Sequence, residues 1–471
     1  TGDHNVALGY KAGLAMVGGS QNVAVGFESM IANTEGLYNT AVGFRSLFTN
    51  VDGDSNTAIG YDCLRLLEPS NGNSFNTAVG FSAGNAVTTG INNTLIGSLA
   101  GDALTTGTNN VALGYGALGT EDTGGQNVAI GVNALTTLNY AGNGLNTAVG
   151  YAAGALMTTG VQNTLIGGQA GDALTTGVEN VAVGYEALST EDAHGKNVAI
   201  GRRALKLLNA GADGLNTAVG HQAGSAMTTG VQNTIMGGLA GDALTTSNNN
   251  VLLGYQAGTN ATIGNSNIAV GFQALYANVA GDRNVAVGTG ALTFMTSAST
   301  ADTYNVAVGY QAGLSVTTGT KNVLVGGLAG DAITTGEYNI ALGHNALSTE
   351  DTGSRNVAIG FEALRDLNYD GTGYNVAMGW QAGLNMSTGT VNTIIGGLAG
   401  DALTSGGANV ALGYAALSTS VDGDYNTAVG YAALEDYEDG DGNGHNTAVG
   451  AKSQLNATTG EFNTSLGSLS M

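Results

Sequence analysis

The sequence predicts an all-β protein, a parallel β-solenoid (β-roll) of about 26 turns, on three observations. One six-residue phrase, Asn146-Thr147-Ala148-Val149-Gly150-Tyr151, returns in slightly altered wording from Asn5 to Asn463. Most of its 27 returns are spaced by 17 residues. Extra residues always fall late in the unit, as in Leu66-Leu67-Glu68-Pro69-Ser70-Asn71-Gly72-Asn73. A fixed period with insertions confined to one place is the mark of a stack of small units, none of which buries its apolar face alone.

Counting from the asparagine as position 1, position 2 is mostly Val, Thr or Ile, position 4 is a larger apolar residue, position 3 is mostly Ala and position 5 is Gly throughout. This alternation of bulky and small has the period of a β-strand. Positions 2 and 4 (Val181 and Val183, Thr217 and Val219) are expected to supply the core, leaving positions 3 and 5 (Ala182, Gly184) as a bare face. That face is expected either to pass close to the backbone of its own coil or to pack against another copy of the chain, since small residues let backbones approach. On this expectation Gly184→Val disrupts assembly far more than a change at exposed Glu186.

Position 6 is aromatic in many turns, including Tyr151, Tyr185, Tyr310 and Trp380. Neighbouring rungs ~4.8 Å apart let such rings stack, either as a packing ladder or as a ligand-facing strip. Positions 8 and 9 are small and then Gly or Leu (Ala153-Gly154, Ala187-Leu188), followed by a turn such as Thr158-Thr159-Gly160, with the glycine suited to a left-handed corner. The asparagines, among them Asn146, Asn180 and Asn216, are expected at such a corner as well. There they form a structural amide ladder beside the glycine column of Gly150, Gly184 and Gly220.

Four kinds of turn alternate, giving a super-repeat of 70 residues between Asn76, Asn146 and Asn216 and again between Asn305 and Asn375; one extra turn from Asn284 resets the phase. No composition shift or linker interrupts residues 1–471, which are expected to form a single domain, roughly 125 Å long at ~4.8 Å per rung. The chain begins and ends inside a turn without polar caps, so either it continues or its ends are covered by other molecules.

Composition removes several function classes. With 79 glycines but one proline and no Gly-X-Y rule, the chain is not collagen-like. A formal charge of −23, from 35 acidic and 12 basic residues, argues against nucleic acid as a partner and fits a solvated surface. No run of 18 apolar residues suggests membrane insertion. Cys63 is the sole cysteine, in a position filled elsewhere by Ala or Ser, and is expected to be a small buried residue.

The phrase Asn-Thr-Ala-Val-Gly-Tyr-x-Ala, with Thr-Thr-Gly before the next Asn, resembles the head repeats of trimeric autotransporter adhesins (YadA-like). It is similar also to repeats of phage tail fibres and bacterial surface proteins that precede an intramolecular chaperone domain. The resemblance covers essentially the whole chain. It implies a left-handed coil, a homotrimer, and a place on a bacterial surface or a virion. No stalk heptads, membrane anchor or chaperone domain occurs in the sequence, and removal of a chaperone during maturation would agree with the end at Met471.

Little chemistry is expected. His4, His194, His221, His344 and His445 occupy unrelated positions without metal-site spacing and are expected to be solvated substitutions. Gly114-Tyr115-Gly116-Ala117-Leu118-Gly119 matches a dinucleotide fingerprint only because the repeat phrase carries two extra glycines. Asp439, Asp441 and Asn443 copy the start of a calcium loop, but Gly450 stands where its distal glutamate should be; Asp52-Gly53-Asp54 and Asp422-Gly423-Asp424 are shorter versions. Asp102, Asp172, Asp242, Asp331 and Asp401 recur too far apart to share an ion. Thr pairs such as Thr88-Thr89 invite comparison with ice-binding solenoids, but adjacent threonines point to opposite faces.

The expected function is therefore non-enzymatic and without cofactor, calcium being the one candidate. The chain would be a rigid rod in an extracellular fibre, a surface adhesin or filament used for attachment. The alternatives are a phage tail-fibre shaft for host recognition and a glycan- or ice-binding solenoid. Its partners would be itself, as homotrimer or head-to-tail filament, and a cell-surface receptor or glycan.

Overall fold

Three-residue strands set the plan of the molecule. In the computed structural model, which describes residues 2–69, 72–297, 302–438 and 443–471, they form two compact units, 1–233 and 234–471, on the same design. The first carries thirteen such strands from Val6–Leu8 to Thr217–Val219 and the second fourteen from Thr234–Met236 to Thr464–Leu466, so the protein is a parallel β-solenoid with one strand per repeat. No helix occurs among the described residues, and hence none long and apolar enough to cross a membrane.

Consecutive strands pair in parallel and in strict register, Thr147 with Thr164, Ala148 with Leu165 and Val149 with Ile166. The rest of the turn is bonded from rung to rung as well. Ala152, Gly154, Leu156 and Thr158 donate backbone N–H groups to Val132, Ala170, Asp172 and Thr175 at 2.8–3.0 Å. Such bonding around the whole coil lets strands of three residues persist, because few backbone groups are left unpaired inside. The longer turns carry their extra residues after position 12, where Gly53–Asp54 pairs with Gly72–Asn73 and where single bridges join Gly125 to Asn143 and Ser354 to Thr372.

Inside and outside are the reverse of the expectation. Beyond the first rung, where Ala7 is exposed, the position-3 alanines, Ala148 and Ala182 among them, are fully buried, whereas Val149 and Val183 are only half-buried and Ile166 is exposed. The small residue faces inward because a 17-residue coil is thin: its interior also receives position 8 (Ala153, Cys63), position 9 (Leu135, Leu188) and position 12 (Met157, Leu174). An outward Ala/Gly face for another copy therefore does not exist. Burial also pushes the Cys63 thiol up to about 12, which keeps it from reacting as a thiolate.

The interior explains the 70-residue super-repeat. Where position 3 enlarges to Leu165, position 9 becomes Gly171, and a Cβ there would lie 2.8 Å from both Leu165 and Leu174. Gly154, one rung earlier, is hemmed in by Leu135 at 2.8 Å and Leu165 at 2.9 Å. Leucine thus enters the core from one wall or the other, and glycine stands opposite. Leu165→Ala is expected to leave an uncollapsed cavity and to cost about 2–5 kcal/mol, measurable by denaturant unfolding.

The asparagines do form a ladder, but not at the corner. None of those described has positive φ; the left-handed residue is the one before, Gln162 at φ 61° or Lys196 at φ 62°. Each Asn Oδ1 accepts the backbone N–H of the next Asn, as from Asn163 to Asn146 (3.0 Å), from Asn180 to Asn163 (3.0 Å) and from Asn233 to Asn216 (3.0 Å). In most 17-residue turns its Nδ2 donates across the turn, from Asn163 to the Gly177 carbonyl as from Asn146 to Gly160 and from Asn216 to Gly230, all at 2.9 Å, whereas Asn127 and Asn197 donate instead to Gly125 and Gly195. A buried amide that accepts from one rung and donates within its own satisfies backbone groups that no apolar side chain could.

Candidate functional site

With the strand's small residues turned inward, positions 2, 4 and 6 all point out. In each unit this outer face is an apolar band: half-buried Val and Thr at position 2, then Leu113, Ile166 and Ile200 or Val325, Met378 and Ile395 at position 4, exposed by 36–43%. The aromatic residues of position 6 border it. Soluble monomers rarely expose so continuous an apolar surface.

The four aromatics singled out from the sequence all stand outward: Tyr151 is 62% exposed, Tyr185 46%, Tyr310 57% and Trp380 52%. Unbroken stacking runs instead through Tyr10, Phe27, Phe44, Tyr61 and Phe81, with ring centres 4.9–5.3 Å apart. Elsewhere glycine at position 6 takes the ring of the next rung against its backbone, as Gly168 does Tyr185 and Gly397 does Tyr414. Where Thr289 interrupts the column, a depression of about 350 Å³ opens, lined by Phe272, Phe294 and Tyr310 together with Gln273, Gln311 and Leu314.

A second outward column, on the residue just before each ladder asparagine, alternates cations with rings: Arg283, Tyr304, Lys321, Tyr338, Arg355 and Tyr374. Arg355 lies 5.4 Å from the Tyr338 ring and 5.8 Å from that of Tyr374, and Lys321 donates to the Tyr338 hydroxyl at 2.8 Å. Sequence periodicity did not reveal it, because the residue before the asparagine varies in type and only its stacking gives the pattern meaning.

Several expected features have other roles. His4, His221, His344 and His445 are exposed, as expected, but three of these also make contacts, His344 stacking on Phe361 at 5.7 Å, His445 lying between Tyr425 and Phe462 at 4.8 and 4.9 Å and His221 meeting Arg202 at 3.2 Å; His194 is half-buried against Glu191. Of the calcium candidates, Asp439 and Asp441 lie outside the described residues, and Asn443 makes a parallel bridge with Asp424. The shorter acidic loops bond to the preceding rung, Asp54 accepting from Leu37 N at 2.7 Å and Asp424 from Gly407 N at 2.6 Å. Thr88, Thr105 and Thr158 donate their hydroxyls to carbonyls of the next rung at 3.0–3.1 Å, so these are not free to order water on an ice-like lattice.

Asp102, Asp172, Asp242, Asp331 and Asp401 are half-buried, and burial raises each carboxyl above the usual carboxylate range. Glu121 and Glu350 are fully buried at position 12. Glu350 accepts N–H groups from Gly353 at 2.6 Å and Tyr369 at 3.3 Å, yet desolvation pushes it up to about 7. No protein-family model matches the chain, and no curated protein matches it.

Proposed function

We propose that the chain is a non-enzymatic structural module of an extracellular fibre, a bacterial surface adhesin or filament used for attachment, that associates with itself along the apolar band of positions 2, 4 and 6. The observation that carries this reading is that band: apolar side chains half-buried or exposed at the same outward positions rung after rung, beside a core already filled by Ala and Leu. A repeating apolar surface is best buried by an equally repetitive partner, and another copy of the chain is one. The resemblance of the Asn-Thr-Ala-Val-Gly-Tyr phrase to YadA-like head repeats supports a homotrimer and a cell-surface location. The related resemblance to phage fibres supports a tail-fibre shaft on a virion as the alternative.

Electron microscopy of the native material with mass per unit length tests this. Three chains per ~4.8 Å rung are expected. The double variant Ile166→Lys, Ile200→Lys should sediment as a single chain with little change in melting, since both side chains are exposed. One chain per rung in the native material would refute self-association along this band.

A second reading, glycan attachment, is favoured by the depression between Phe272 and Tyr310, whose size lies at the small end of ligand pockets and whose lining combines aromatic rings with Gln273 and Gln311. Glycan-array binding lost on Tyr310→Ala would favour it, and an inert array would leave the scaffold reading alone.

A further inference from the structure

One turn departs from its equivalents in a way that creates a cluster of ligating atoms. Three turns share a buried glutamate at position 12 followed by aspartate: Glu121-Asp122, Glu191-Asp192 and Glu350-Asp351. In two of them position 15 is a glycine, Gly124 or Gly353; in the third it is His194. The imidazole consequently lies over the mouth of the glutamate pocket, with Nδ1 3.5 Å from Glu191 Oε1.

The surrounding hydrogen bonds differ accordingly. Glu121 and Glu350 accept the position-15 N–H at 2.7 and 2.6 Å, whereas Glu191 Oε1 accepts that of His194 at a longer 3.2 Å; the second carboxylate oxygen accepts an N–H of the inserted residues in all three turns, from Tyr140, Tyr369 and Ala210 at 3.2–3.3 Å. Asp122 and Asp351 each cap the next residue, at 2.6 Å to Thr123 N and 2.7 Å to Thr352 N. In the His194 turn one atom each from Glu191, Asp192 and His194 lie within 4.8 Å of one another. His194 Nδ1 is shielded from solvent yet makes no hydrogen bond. A shielded ring nitrogen with no hydrogen bond and only a carboxylate oxygen 3.5 Å away is uncommon, and a cation is one species that would engage it together with both carboxylates.

The geometry points to a divalent transition-metal site, of the zinc class, formed by Glu191, Asp192 and His194. Two carboxylates and a neutral imidazole are a donor set suited to Zn²⁺ and would neutralise its charge. Metal–ligand lengths of ~2.0–2.2 Å require the three atoms to draw closer than they lie here. Among the described residues no hydrogen bond holds the Asp192 carboxylate, while Glu191 is fixed by its two backbone bonds and the His194 backbone by its carbonyl, which accepts from Asn180 Nδ2 at 3.2 Å. The neighbouring Asp213 is paired with Lys196, which leaves the remaining coordination to water. The position suggests a clip between the turn of Asn180 and the inserted residues of the next, since Glu191 already bonds Ala210 there.

Titration of the full chain with Zn²⁺, and with Co²⁺ read by its visible ligand-field absorption, tests the assignment. One equivalent is expected to bind with the absorption of a nitrogen- and oxygen-ligated ion. His194→Gly restores the residue found in the two sister turns and should keep the circular dichroism and melting of the apo chain, while weakening binding at least 100-fold. Asp192→Asn should weaken it less. No saturable binding at millimolar metal, or an unchanged affinity in His194→Gly, would overturn the site.

Discussion

Gly184→Val is expected to open the coil locally and to cost roughly 3 kcal/mol or more. Gly184 has φ 135°, a conformation that side-chain-bearing residues seldom adopt, and a Cβ there would stand 2.5 Å from the carbonyl oxygen of Gly201 on the next rung. The column repeats the arrangement, with Gly150 at φ 144° and 2.4 Å from the Gly167 oxygen. Rungs cannot move apart at one column while staying bonded at all the others. The damage therefore falls on rung spacing within the chain, not on an outer assembly face. Because each turn contacts only its neighbours, the effect should appear as a new protease-sensitive site near residue 184 before it appears in the melting of the whole. Glu186→Ala, by contrast, removes ion pairs to Arg203 (2.8 Å) and Lys206 (2.7 Å) on the surface and should cost about 1 kcal/mol or less. Identical cleavage maps and melting for both variants would refute the steric argument.

Stability is expected to rise as pH falls from 8 to about 5. Glu350 is raised from 4.5 to about 7 by burial, and Glu121 and the five recurring aspartates are shifted in the same direction. A carboxyl whose folded value lies above its unfolded value favours the fold fully below the unfolded value and loses that contribution as pH rises through the folded one. For Glu350 the window is therefore about 4.5 to 7. The contrary group, Glu186, is held down to about 2 by Lys206, so its stabilisation is lost only on acidification below the ordinary glutamate range. Relief of the net charge of −23 acts in the same direction as the buried carboxyls. Glu350→Gln should flatten part of the profile and stabilise the chain at pH 8 by on the order of 2 kcal/mol, since the amide oxygen keeps the short bond from Gly353 N and gives up only the long one from Tyr369 N. Melting temperatures that fall steadily from pH 8 to pH 5 would refute this account.

The repeat, its period, its strand, the place of its insertions and the asparagine ladder were legible in the sequence because each is a property of a single turn: a 17-residue return, an alternation of large and small, an amide with donor and acceptor. The direction in which the strand faces was not. Alternation marks two faces without saying which is inside, and β-branched Val183 looks more like core than Ala182 until the coil is closed. A thin tube decides it: Leu165, Leu188 and Leu174 enter from several walls, leaving room only for alanine at most position-3 sites. The outer apolar band followed from that inversion, and so did the reason for the 70-residue period. Likewise His194 resembles any substitution in the linear chain, because Glu191 and Asp192 alone carry no metal spacing; its imidazole reaches the buried carboxylate only once position 15 is folded back over position 12. Sequence determined the unit and its stacking, since these depend on contacts repeated in every turn. Tertiary structure decided inside from outside and which lone side chains meet, since these depend on the width of a closed coil that no single turn encodes.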